Sequence, residues 1–140
     1  MNIEDCIKEG FLQKITPSRE KQNKELSSAD YDLKRAEFSS ESEDYKWSII
    51  QSYYAIFHSS RALLYKIGYR EKRHFAVSII LEDLTKNGKI NTKLVGDFHA
   101  AMSAREDADY RDVYSKETAD YMLDVAEEFL KEIKNILKRL

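Results

Sequence analysis

Cysteine is almost absent from this chain: Cys6 is the only one among 140 residues, so neither a disulfide framework nor a thiolate-built zinc site can be assembled. Helix breakers are equally scarce, with one proline and four glycines, and these sit at expected boundaries. No alternating apolar pattern lasts long enough to make a strand, and no internal repeat is present. No apolar run approaches the roughly 20 residues that span a bilayer, and the stretch Met1-Asn2-Ile3-Glu4-Asp5 lacks the basic and then apolar segments of a signal peptide. A cytoplasmic protein without membrane attachment is the expectation. An excess of charge is missing too: 23 basic side chains face 25 acidic ones, leaving a formal charge of −2, which excludes binding through a general basic field. Attachment to DNA is therefore not expected, and any RNA recognition must come from a local site. A Gly-rich phosphate loop, a nucleophile elbow and a defensible Ser-His-Asp order are all absent. The three histidines, His58, His74 and His99, lie too far apart in sequence for a helical metal pair, so neither metal nor cofactor is expected.

What remains is helical periodicity. A chain of this length matches one domain and buries roughly two thirds of its unfolded surface. The spacing predicts an all-α, up-and-down antiparallel bundle over 1–140, with four main helices and short extra ones. Residues 1–17 make a short N-terminal helix and turn, with Ile3, Ile7, Phe11 and Ile15 in phase until Pro17 bars continuation. Ser18 can cap a helix over 18–38 whose inner stripe, Leu26, Ala29, Leu33 and Ala36, is thin. A central helix over about 43–67 ends at Gly68, a residue tolerant of the left-handed backbone of a helix stop. Helices over 73–86, from about 91, and from about 116 complete the set, the last being the clearest amphipathic pattern.

The central helix carries two faces. Ile49, Tyr53, Ile56, Phe57, Ser60, Leu63 and Leu64 form a core stripe, while Tyr54, His58, Arg61 and Tyr65 make a second stripe that is aromatic and ionisable. That second stripe fits either a pocket or ordinary half-buried packing. Downstream, Arg105 prolongs the inward stripe Phe98, Ala101 and Met102, and a buried guanidinium requires a partner. Asp109, one turn later, supplies a structural ion pair; alternatively Arg105 grips a phosphate, with Tyr110 or Tyr114 stacking a base or offering a hydroxyl. Lys72, Arg73 and His74 form a compact cationic group at a helix start, suited either to a phosphate or simply to solvent.

Taken together, Ser52-Tyr53-Tyr54-Ala55-Ile56-Phe57-His58, the Lys72-Arg73-His74 group, Arg105 with Ala108-Asp109-Tyr110, and the closing Ala126-Glu127-Glu128-Phe129-Leu130 resemble the prokaryotic HEPN family in order and spacing, from about residue 18 onward. The resemblance implies a helical bundle, usually homodimeric, often encoded beside a minimal nucleotidyltransferase and serving in toxin-antitoxin or other defence systems. It also implies metal-independent RNA cleavage by an arginine and, four to six residues later, a histidine, the two chains' motifs meeting at the dimer interface. Arg105 matches the arginine; no histidine follows it, and Tyr110 stands in that place. In some relatives a tyrosine just beyond the histidine receives a nucleotide from the partner enzyme, a part that Tyr110 or Tyr114 would take.

The expected site therefore combines Arg105, Tyr110 and His58 as catalytic groups with Tyr54, Arg61, Lys72, Arg73, His74, Asp109 and Tyr114 as RNA- or nucleotide-binding groups. The competing expectation is a noncatalytic interaction module that binds a partner protein, with Arg105 locked to Asp109 and the aromatic stripe serving as dimer core.

Overall fold

Local capping chemistry sets the helix boundaries, as the computed structural model of residues 1–140 makes plain. The elements run α1 (Ile3–Lys8), β1 (Leu12–Lys14), α2 (Arg19–Glu41), α3 (Tyr45–Ile67), β2 (Tyr69–Glu71), α4 (Phe75–Lys86), α5 (Lys93–Tyr110) and α6 (Lys116–Arg139). Ser18 caps α2 by accepting from the Lys21 N–H, Asp44 caps α3 at Trp47, and Ser115 caps α6 at Thr118. Gly68 ends α3 in the left-handed region at φ 92°, and a Cβ there would meet the Ile15 carbonyl oxygen at 2.8 Å, so both backbone and space demand glycine.

One expectation fails at the N-terminus. The periodic stretch over 3–15 is not one helix: α1 stops at Lys8, Gly10 turns the chain at φ 78°, and Leu12–Lys14 pairs antiparallel with Tyr69–Glu71. The register is Leu12 with Glu71, Gln13 with Arg70 and Lys14 with Tyr69. Three-residue strands are too short to display an alternating pattern, and their pairing is a tertiary event. This miniature sheet lies across the C-terminal end of α3 and leads directly into α4.

The main core gathers from α3, α4, α5 and α6, with Tyr53, Ile56, Leu63, Ile80, Leu81, Phe98, Phe129 and Ile133 essentially closed to solvent. Helix α3 is the central post, apolar on most of its circumference. Against it lies α2, which buries only Gln22, Ala29, Ala36 and Ser39 and turns a wide polar face outward. Small residues let the two backbones approach: Ser48, Ser52, Ala55 and Ser59 recur along α3, and the Ser48 hydroxyl donates to the Ala36 carbonyl at 2.9 Å. No helix is long and apolar enough to cross a membrane. The bundle thus holds the last two turns of α5, the start of α4 and the middle of α3 side by side.

Candidate functional site

Where those three helices meet, Tyr53, His74, Met102, Arg105, Glu106 and Tyr110 line an open cavity of about 300 Å³. Arg105 comes from the inward face of α5, three-quarters along the helix, and its side chain is 16% exposed. Its guanidinium lies over three rings, at 5.6 Å from those of Tyr53 and Tyr54 and 5.0 Å from that of Tyr110. Nη2 donates to the Tyr54 hydroxyl at 3.1 Å and stands 3.3 Å from Asp109 Oδ2. Nη1 makes no hydrogen bond, and Nε is buried without a partner. A buried cation is thus held largely by aromatic faces, with a single carboxylate at one corner.

His74 sits at the mouth of α4, where no side-chain cap fixes it. Its ring packs on Phe57 at 4.2 Å between centroids, and Nδ1 is 2.8 Å from the Tyr53 hydroxyl. Partial burial, then the nearby Arg105, Arg61 and His58 charges, push its pKa below the ordinary histidine value, so the ring is neutral at neutral pH. Burial drives Tyr53 far above the usual phenol range, against the opposing pull of Arg105, so its hydroxyl stays protonated. A hydroxyl can donate to Nδ1 or accept from it. When it accepts, Nε2 is free to take a proton; when it donates, Nε2 carries one. Tyr53 therefore orients His74 in either tautomer.

The remaining expected residues divide. Tyr54, Asp109 and Tyr110 surround Arg105, Tyr110 being 69% exposed at the rim. His58 goes elsewhere: Nδ1 is 2.6 Å from Glu25 and Nε2 is 3.6 Å from Asp32, so both ring nitrogens face α2 carboxylates. Arg61 belongs to the same network, its Nε donating to Glu71 at 2.8 Å and Nη1 lying 3.5 Å from Glu25. Lys72, Arg73 and Tyr114 are exposed and line neither Arg105's cavity nor this network. Tyr53, expected only as core, and Glu106, not singled out, both join the cavity. A tyrosine at a core position beside an ionisable stripe was the available signal for the first; nothing in the sequence marked the second.

The cleft thus sets a guanidinium with an unengaged Nη1 and a neutral histidine side by side, and no three His, Cys, Asp or Glu side chains gather as a ligand set for an ion. A family model for the HEPN domain matches residues 23–136, and the chain belongs to that family. A search of curated proteins finds no match to it. The matched span opens inside α2, so α1 and β1 lie outside it.

Proposed function

We propose that the Arg105 cavity binds a phosphodiester of RNA and that the protein is a metal-independent endoribonuclease working as a homodimer within a two-component, toxin-antitoxin or defence-type system with a nucleotidyltransferase. The observation that carries the catalytic reading is the meeting of Arg105 and His74 across one cavity, with Nη1 unengaged and the imidazole neutral. Arg105 offers its planar fork to the non-bridging oxygens. His74 Nε2 takes the proton of a ribose 2′-hydroxyl while Nδ1–H turns to the Tyr53 oxygen, and the 2′-oxygen attacks the adjacent phosphorus. The bond from phosphorus to the 5′-oxygen breaks, leaving a 2′,3′-cyclic phosphate. Tyr110, at the exposed rim, donates a hydrogen bond to the departing oxygen, which acquires its proton there or from water. Exposed Tyr110, Val113 and Tyr114, at 69%, 60% and 47%, offer the second copy an apolar rim beside the cleft.

Incubation with single-stranded RNA in excess chelator tests this. The expected products carry cyclic phosphate ends, and Arg105→Ala or His74→Ala lowers the rate at least about a hundredfold, as loss of a proton-transfer group does, while His58→Ala retains cleavage. Cleavage that persists unchanged in Arg105→Ala overturns the assignment.

A second reading rests on the Arg105–Asp109 contact itself, an i,i+4 pair at 3.3 Å. As a noncatalytic module that docks a partner protein, the chain would use Arg105 structurally. Arg105→Ala would then cost on the order of 3 kcal/mol of stability, chiefly through lost packing against the Tyr53, Tyr54 and Tyr110 rings rather than through the partly exposed Asp109, with no RNA phenotype.

A further inference from the structure

A second hollow shares no residue with the Arg105 cavity. It holds about 540 Å³ between the first turns of α2, the last turn of α3 and the last turns of α6. Four cations border it, Arg19, Lys66, Lys134 and Lys138, against one side-chain carboxylate, Asp30, which is occupied by Lys134 at 2.9 Å. Arg19, Lys66 and Lys138 enter no ion pair. Lysines near the C-terminal ends of α3 and α6 complement the negative poles of those helices. Arg19 has no such explanation, because it is the first residue of the 23-residue α2, where the helix pole is positive and a cation is disfavoured.

A second observation comes from Gln22, one turn along α2. It is 6% exposed, yet its side-chain amide makes no hydrogen bond within the protein, and it lines both this hollow and a smaller adjoining one of about 160 Å³ shared with Arg19 and Lys66. The rest of the side chain is packed away, and the amide, left without a protein partner, is open to the hollow, where it can bond to whatever fills it. No aromatic ring borders either hollow, so there is no platform for a base.

We infer that this hollow is an anion site for a chain of adjacent phosphates, held by Arg19, Lys66 and Lys138 with the Gln22 amide donating to a phosphate oxygen. Cations from three helices around one volume match several charges at short spacing, whereas a lone carboxylate would engage them one at a time. The volume lies within the range of small-molecule sites. Such a phosphate chain is common to nucleoside triphosphates and inorganic polyphosphate.

Titration calorimetry of the full chain with inorganic tripolyphosphate provides the test. Binding is expected to weaken about tenfold in Arg19→Ala and in Lys66→Ala, the loss typical of a hydrogen bond to a charged group. Gln22→Leu, which keeps every charge and removes only the unpartnered amide, should weaken it about fivefold. Arg105→Ala should leave it unchanged, so that this site stands or falls independently of RNA cleavage. Competition by adenosine triphosphate would identify the source as a free nucleotide, failure of adenosine triphosphate to compete would identify polyphosphate itself, and equal competition by a single-stranded RNA oligonucleotide, whose phosphates are separated by riboses, would overturn the assignment to adjacent phosphates. Absence of binding at millimolar tripolyphosphate, or binding that survives Arg19→Ala and Lys66→Ala but is lost in Arg105→Ala, overturns the inference.

Discussion

Two arginines flank the same aromatic surface of α3 and meet opposite fates. Arg61 lies 5.3 Å from the Phe57 ring and is answered by Glu71 and Glu25, whose attraction outweighs the burial that would otherwise disfavour its charge. His58 beside it is likewise held between Glu25 and Asp32. Arg105, over Tyr53 and Tyr54, has one carboxylate at one corner, an unengaged Nη1 and a neutral histidine across a cavity. Residue type does not separate the two; the number of carboxylates that the neighbouring elements deliver does. The saturated arginine belongs to the architecture, and the starved one is the group that the proposed function assigns to a ligand.

Arg61→Met probes the saturated side and should have the largest effect. It orphans Glu71, whose side chain is 5% exposed, and should cost about 3 kcal/mol in denaturant unfolding, as breaking a buried pair does, without altering RNA affinity. Next comes Tyr53→Phe, which keeps the core ring but removes the hydroxyl facing His74 Nδ1. Its stability cost should be about 1 kcal/mol, the usual worth of one hydrogen bond. The cleavage rate should fall about tenfold with KM unchanged, since binding by Arg105 survives.

A smaller effect concerns pH. His74 has a folded-state pKa below its unfolded value of 6.5, so the folded chain takes up that proton more weakly than the unfolded one. The stability linked to His74 is complete above 6.5 and is lost as the pH falls through the folded-state value. His74→Gln should flatten that acid-side decline in thermal melts. Smallest of all, Asp109→Asn should change stability by about 0.5 kcal/mol or less, the scale of an i,i+4 pair. It should also tighten RNA binding by releasing Nη2; weaker binding would mean that Asp109 positions Arg105 for the ligand.

How much of this was legible in the sequence differs from residue to residue. Gly68, Ser18 and the regular stripe of α6 act through local rules, so the helix stop, the cap and the amphipathic face could be read directly. The core stripe of α3 was equally plain. The short sheet was not, because Leu12–Lys14 becomes a strand only through its partner Tyr69–Glu71. At the site, Arg105, Tyr110, Asp109 and Tyr54 were readable from helical phase. Which histidine approaches them was not, since His58 shares α3 with Tyr54 while His74 arrives on α4 through tertiary packing. One clue did exist: Glu25 and Asp32 stand two turns apart on α2, an acidic face waiting for the cationic stripe of α3.

The small pairing of β1 with β2 reaches further than its six residues. Just past it, the Lys72 N–H donates to the Phe11 carbonyl at 2.8 Å and the Phe11 ring meets that of Phe75 edge-on at 5.2 Å, immediately either side of Arg73 and His74. The first seventeen residues, beyond the reach of the family match, are therefore the brace that sets where the imidazole rests. If the proposed cleavage holds, a chain trimmed of that brace should keep its long helices yet lose the alignment of imidazole and guanidinium, which would make the segment outside the family match the custodian of the site.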